Sequence, residues 1–336
     1  MVQTMGINGA QFPSVGGAPI YGPSIVPDRF YSDFLYKYYR MCMYMGICNT
    51  DFTKDIEGFG DVLHVAQLPD METFIYNQGM VIPTQTNFYK ADVDLKINKA
   101  RGWCVPMNPV FNKQTMHKDY WSRMAEDGAK QINIKIDNEI LSVLPTLANS
   151  SNVGATAGAI TGMWNMGASG AGLTIGPDDC VPYLLACEQV LWEQDILTTG
   201  KEDGERSGQD EEMYAVVPGW FHSYLMQAKV LQAWLSGDAK SPIRAYSCGH
   251  VGPVNIYRSN NLPYTSATKE SPIIFGVKRA VSFALQLQVA ETKPHPTDIG
   301  DIMQAVTVYG YNAMISKGLG TGYVRPVSLI GGNIQS

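Results

Sequence analysis

The stretch from Thr115 to Leu144, TMHKDYWSRMAEDGAKQINIKIDNEILSVL, constrains this chain more than any other. Trp121, Met124, Ala125, Ala129, Ile132, Ile136, Ile140, Val143 and Leu144 recur at steps of three and four residues, the spacing of one helix face. Asp119, Ser122, Glu126, Lys130, Asn133 and Asp137 form the opposite, solvent-facing stripe, with Glu126 one turn before Lys130. Thr115 is placed to cap the start, and Pro145 is expected to stop the helix. A rod of about thirty residues is roughly 45 Å long, against about 11–12 residues for an average helix. Such a rod carries several other elements along its length, with Trp121, Ile132, Ile136 and Ile140 as its core contacts.

The rest of the chain is mixed α and β. Residues 1–27 hold Gly6, Gly9, Gly16, Gly17, Gly22, Pro13, Pro19, Pro23 and Pro27, a composition that builds no core of its own and reads as an arm or a tail. Residues 28–48 are aromatic-rich, and Phe30, Phe34, Tyr38 and Cys42 predict a short amphipathic helix. After the breakers Gly58 and Gly60, a strand is expected from Asp61 to Leu68. Its mate lies at Phe88–Asn98, where Tyr89, Ala91, Val93, Leu95 and Ile97 alternate with polar residues. The long insert between these strands fits a projecting two-stranded arm rather than a loop inside a compact domain.

Beyond the long helix, residues 145–177 are uncharged and rich in Gly, Ala and Ser, and read as a crossover connection. Its GASGAG lacks the GKS or GKT of a phosphate loop. A second helix is expected from an Asp178 cap to about Leu197, followed by the solvated loop KEDGERSGQDEE. MYAVVP predicts a buried strand and GWFHSYLMQAKVLQAWL a helix. The strand within YSCGHVGPVNIYRSNNLP should end at Asn260 and Asn261. SPIIFGVKRAVSFALQLQVAETKP reads as strand and helix, and the C-terminal part as a long strand, a turn at Gly318–Gly322 and a last strand.

Charged residues make up only 17% of the 336, where about 25% is usual, so much of the surface is expected to be covered by other subunits. The net charge of -6 argues against a nucleic-acid-gripping groove but permits enclosing nucleic acid. Cys42, Cys48, Cys104, Cys180, Cys187 and Cys248 form no CxxC pair or zinc cluster, and Cys42 and Cys187 read as buried and reduced. Neither a signal peptide nor a membrane-spanning run is visible. His64, His117, His222, His250 and His295 share no metal-binding spacing. Asp178–Asp179 and Asp210–Glu212 read as cap and solvated loop, and residues 167–171 (GASGA) do not make a nucleophile elbow. No nucleophile, base and orienting group assemble, so neither enzyme, cofactor nor metal is indicated.

Taken in order, the elements resemble one family. The Gly/Pro arm, a helix, GFGDVLHV, a long hairpin, a strand ending INKARGWCV and a spine-length helix are similar to the major capsid protein of tailed bacteriophages. That is the Hong Kong 97 fold, shared with encapsulin shells. MYAVVPGWFHSYLMQ, NIYRSNNLP and QAVTVYGYNAMISKG continue the resemblance over nearly the whole chain. It implies an α+β subunit with an N-terminal arm (1–27), an N-terminal helix region (28–57) and an extended loop (58–104). It further implies a peripheral domain (105–177 and 306–336) with spine helix 115–144, and an axial domain (178–305). Copies would assemble into pentamers and hexamers of an icosahedral shell around double-stranded DNA in a virion, built in the host cytoplasm. Scaffold, portal and decoration proteins are the further partners implied, and no membrane. Contact between subunits would run through the loop residues Phe74, Ile75, Tyr76, Met80, Val81 and Ile82. The rivals are an encapsulin-type compartment and an oligomeric soluble α/β enzyme.

Overall fold

The computed structural model describes residues 37–53, 62–67, 73–82, 84, 90–107, 120–196, 213–228, 250–251, 253–296 and 299–327. The arm over residues 1–27, Phe30, Phe34, Thr115, Asp119, Leu197, the loop KEDGERSGQDEE and Cys248 lie outside them. In chain order the elements are α1 (Tyr44–Ile47), β1 (Val62–Gln67), β2 (Lys90–Lys96), β3 (Lys99–Met107), α2 (Tyr120–Leu147), β4 (Leu173–Ile175), α3 (Cys180–Trp192), β5 (Met213–Pro218), α4 (Gly219–Gln227), β6 (His250–Val251), β7 (Val254–Ser259), β8 (Ser271–Val277), β9 (Val281–Pro294), β10 (Asp301–Ala313) and β11 (Leu319–Pro326).

Among the described residues there are three sheets: the antiparallel pair β1-β2, a three-stranded sheet β3-β10-β9, and a six-stranded mixed sheet β4-β11-β8-β5-β7-β6. In the last, β4 runs parallel to β11 and β5 parallel to β7. The central strands β5 and β8 are buried along their whole length, which explains why MYAVVP and SPIIFGV are unbroken apolar runs rather than alternating ones. Helix α2 packs on β3 and β10 of one sheet and on β8 and β11 of the other, so it ties the two sheets together. Helix α3 packs over β11, and α4, beside it, over β5 and β7. Ile136, Ile140, Leu141 and Leu144 are fully buried in one continuous core with Leu184, Leu191, Phe221, Phe275 and Tyr309. Each such side chain contributes about 1.5–3 kcal/mol on burial.

A second bond between α2 and the three-stranded sheet is ionic. Glu139 accepts from Lys99 Nζ and Arg101 Nη2, each at 2.6 Å, and from the Tyr309 hydroxyl at 2.8 Å. Burial alone would raise the Glu139 pKa. The hydrogen bonds from Lys99, Arg101 and Tyr309 outweigh it and lower the value from 4.5 to about 2.

Several expectations are corrected. Helix α2 runs through Pro145 to Leu147. A proline this close to the end removes a single ladder bond, and Ser142 Oγ and Thr146 Oγ1 cap the carbonyls of Glu139 and Val143 at 2.7 Å. Asp137, assigned to the solvent stripe, is fully buried, whereas Ala129 is exposed and Trp121 only half-buried. The helix expected over 28–48 reduces, among described residues, to the four of α1, and Tyr38 is exposed. Its backbone is held by Asp137 instead: Oδ1 accepts from the amides of Met43 and Tyr44 at 2.9 and 2.8 Å. Cys42 is half-buried, while Cys187 is buried as expected.

Further along, α3 starts at Cys180 rather than after Asp178, and the side chain of Asp179 at its N-cap accepts from no amide of the helix but from the Gly176 amide before it. Residues 278–280 form a single 3-10 turn between strands, so 271–294 holds no long helix; Ser, Phe, Leu and Val alternating through β9 favour strand. The last turn is Ser316–Gly318. Gly320 and Gly322 lie inside β11, where a Cβ would strike the Phe275 ring and the Tyr183 hydroxyl. Sheet membership also cuts across the expected domain boundaries. The extended hairpin ends at Lys96, because β3 already belongs to the three-stranded sheet; β9 joins that sheet; β4 and β11 belong to the six-stranded one.

The Gly/Ala/Ser segment is built rather than a bare connection. Glu193 at the end of α3 accepts from the amides of Ile160 and Thr161 at 3.0 Å, from Thr161 Oγ1 at 2.8 Å and from Trp164 Nε1 at 3.0 Å. Burial would raise its pKa; these bonds pull it down to about 2. Glu270 accepts from the amides of Gly170 and Gly172 at 3.0 and 2.7 Å. Gly154, Gly158, Gly162, Gly167 and Gly170 have positive φ, which is why this stretch needs glycine.

Candidate assembly surface

The β1-β2 hairpin is anchored at its base and bare at its end. Leu95 and Ile97 are buried with Ala284 and Met314, and Phe52, Leu63, Val65, Val93 and Val308 pack against them. Asn312 Nδ2 donates to the Asp94 carbonyl at 2.8 Å, and a Cβ on Gly310 would collide with the Lys96 carbonyl. His64 Nδ1 meets Asp94 Oδ1 at 2.7 Å across the pair. The base thus belongs to the subunit's own core.

Beyond it, residues 73–82 form no ladder. A turn closes with the Met80 amide on the Asn77 carbonyl at 3.0 Å, and Gly79 takes a φ of 86°. Phe74, Ile75, Tyr76, Met80, Val81 and Ile82 are all exposed, Ile75 by 83% and Val81 by 90%. A run of apolar side chains left in water makes this stretch a candidate association surface. Of the other expected contact residues, Ile132, Ile136 and Ile140 are buried under α2, and Trp121 sits half-exposed with its ring 5.1 Å from that of Tyr120.

Two further exposed apolar groups were not foreseen. One comprises Ile160 and Met163 on the turn held by Glu193, with Leu185 and Trp192 on the outer side of α3. The other comprises Tyr38, Met41 and Met45 before and within α1. The first had a sequence signal: no Lys, Arg or His occurs between Lys135 and Lys201. The second was hidden by the helix reading of 28–48. Among the described residues no group of His, Cys, Asp and Glu is arranged to hold a metal, no disulfide forms at the described cysteines, and no helix is long and apolar enough to cross a membrane.

No protein-family model and no curated protein sequence matches the chain. Solved structures do, over nearly its full length. A structure from Mycobacterium phage Che8 is 17% identical, covers 90% of this chain and 98% of its own, and superposes with a TM-score of 0.69. The capsid structure of cyanophage P-SCSP1u is 13% identical over 91% of this chain and 94% of its own, with a TM-score of 0.65. The mature capsid of bacteriophage PhiM1 gives 11%, 91%, 93% and 0.61 in the same order. Matched over about nine-tenths of its length by these structures, the chain has the α+β Hong Kong 97 fold.

Proposed function

We propose that this chain is the major capsid subunit of a tailed bacteriophage, which self-assembles into the pentamers and hexamers of an icosahedral shell enclosing double-stranded DNA. The observation that carries the reading is the hairpin: its base is built into the subunit's core, while its tip presents six apolar side chains to solvent. A stable monomer has no use for such a projection, and a neighbouring copy covers it. The two-way coverage of the capsid structures supports the same reading, since neither chain carries a large unmatched domain. In this assignment α2 and the sheet β3-β10-β9 form the peripheral domain. The six-stranded sheet with α3 and α4 forms the axial domain around the capsomer centre. The role is structural rather than enzymatic, the place of action the virion after assembly in the host cytoplasm. The acidic balance suits a shell that packs DNA without gripping it. Scaffold, portal and decoration proteins are partners of this assembly, not of the isolated subunit.

The test is assembly of the purified protein, followed by size exclusion and electron microscopy. Closed megadalton shells are expected; a small discrete oligomer overturns the reading. A variant with residues 71–82 replaced by a short Gly/Ser turn should keep the parent's circular dichroism and form no closed shells. Intact particles, or an unfolded monomer, would show that the tip is not an assembly element.

A further inference from the structure

Helix α3 is apolar on nearly every side. Tyr183, Leu184, Cys187, Val190 and Leu191 face the core, yet Leu185 and Trp192 on the other side are exposed. A helix hydrophobic all round is ordinarily a buried one. The Glu193 carboxylate brings the turn of residues 158–164 alongside the C-terminal end of this helix, and that turn displays Ile160 and Met163, 77% and 81% exposed. Four hydrogen bonds to one carboxylate and the positive-φ Gly158 and Gly162 fix its shape. The result is a rigid apolar knob. The charged residues next to it along the chain, Asp178, Asp179, Glu188 and Asp195, are acidic, and there is no basic residue from 136 to 200; Lys317, on the turn that Asn152 and Gln194 connect to the end of α3, is the nearby basic group.

The second exposed group has the opposite character. Tyr38 and Met41, 88% and 71% exposed, border a groove of about 820 Å³ that is also lined by Arg40, Gly46, Tyr257 and Arg258. A groove of this size lies in the range of about 300–1,000 Å³ that accepts several side chains at once. Arg40, Arg258 and His222 are among its lining residues and no Asp or Glu is, while Lys37 beside it is paired with Asp127 at 2.7 Å. The groove is thus apolar with a basic rim, where the knob is apolar with an acidic one.

The two cannot meet within one subunit. The knob lies with α3 over β11, while the groove lies along β7, and the sheet order β11-β8-β5-β7 separates those strands by three spacings, about 14 Å. A matched pair of different surfaces at separate places on one molecule is the arrangement of a head-to-tail contact, which closes into rings when copies are related by rotation.

We infer that the knob of one copy, Ile160, Met163, Leu185 and Trp192, docks into the groove at Tyr38, Met41 and Tyr257 of the next copy in the ring. The inference rests on the shell reading above and names a contact separate from the hairpin tip. Trp192 and Met163 are its anchors, because large rigid or adaptable apolar side chains carry most of the energy of such contacts. The acidic and basic rims orient the approach.

The experiment places the photocrosslinker p-benzoylphenylalanine at position 163 of the full chain, irradiates assembled particles, and maps the linked peptides by mass spectrometry. Links between subunits to the tryptic peptides that span residues 38–54 are expected. Alongside, Trp192→Glu should abolish shells while leaving the melting temperature and circular dichroism of the unassembled subunit as in the parent. Shells that form normally but link position 163 to any other peptide overturn this contact and leave the shell reading standing. Shells from the Trp192→Glu protein overturn it equally. A parent that stays monomeric overturns both.

Discussion

Asp137 is fully buried on the spine helix, and three groups from elsewhere in the chain donate to it. Its Oδ1 takes the Met43 and Tyr44 amides, and its Oδ2 takes Asn261 Nδ2 at 2.6 Å. It therefore joins α1, α2 and the end of β7. In Asp137→Ala both amides lose their acceptor inside the protein, at about 1–3 kcal/mol each. Asn261 keeps a weaker bond to the Met41 carbonyl at 3.2 Å. With the small cavity added, the loss should be about 3–5 kcal/mol, a large share of the roughly 5–15 kcal/mol that holds a folded chain. Asp137→Asn should behave differently. The shape is kept, so both amides keep an oxygen, and the new amide group faces Asn261. Asn261 Oδ1 is buried without a partner, so that side chain can turn over and accept from it. What is lost is the charge-assisted part of the bonds and the weak bond to Met41, about 1–2 kcal/mol.

The assay is urea unfolding of the subunit carrying the Gly/Ser turn in place of residues 71–82, so that assembly does not couple to unfolding. Hydrogen exchange at Met43 and Tyr44 is read in parallel. Those two amides should exchange slowly in the parent and in Asp137→Asn, and quickly in Asp137→Ala even where the rest of the protein is protected. The reasoning is refuted if Asp137→Ala unfolds within about 0.5 kcal/mol of the parent, or if the asparagine variant is as damaged as the alanine one.

Three further outcomes are expected. Ile136→Asp should cost several kcal/mol and the soluble subunit with it; Ile132→Asp should cost less, because Arg101 and Lys135 line the same cleft as Ile132, and equal yields would disprove that ordering. Boiled particles should run as one monomer band once thiols are reduced, since no lysine lies between Leu68 and Tyr89 to form an isopeptide bond; a ladder surviving reductant would refute this, whereas a dimer removed by reductant would point to the exposed Cys104. Glu139 has its folded pKa depressed from 4.5 to about 2, so its ionic stabilisation is complete above about pH 4.5 and is lost as pH falls toward 2; Glu139→Gln should flatten that part of the stability–pH curve, and an unchanged curve would remove Glu139 from the acid response.

Periodicity revealed the elements that bury one clean face. The spine helix, the β1-β2 pair and the apolar run MYAVVP were legible because their side chains sort by pattern alone. What escaped was backbone satisfied from a distance. Asp137 occupies a helix position that reads as solvent-facing, and only Met43, Tyr44 and Asn261, each far away in sequence, make it an interior group. The Gly/Ala/Ser segment escaped for the same reason, since the acceptors that fix it, Glu193 and Glu270, lie in other elements. The hairpin-tip side chains expected to be apolar and exposed are exposed, whereas the knob and groove were not foreseen, because each is assembled from two stretches of chain.

These errors share a direction, and it bears on function. The chain has few charged residues for its length, and it places several of its carboxylates indoors. Asp137, Glu193 and Glu270 are all buried, each holding backbone amides that no strand or helix would satisfy. At the same time Ile75, Val81, Ile160, Met163, Tyr38 and Met41 stand in solvent. A monomer gains nothing from that exchange, since charge keeps a surface soluble and apolar groups stabilise an interior. A subunit that spends its working life surrounded by copies of itself gains on both counts. In the proposed shell, the buried carboxylates would keep irregular segments rigid enough to present a fixed shape, and the exposed apolar groups would supply the association energy once that shape meets its counterpart. The association is then mainly apolar, since exposed ion pairs at its rims give only about 0–1 kcal/mol each, and raised salt alone should leave assembled particles intact.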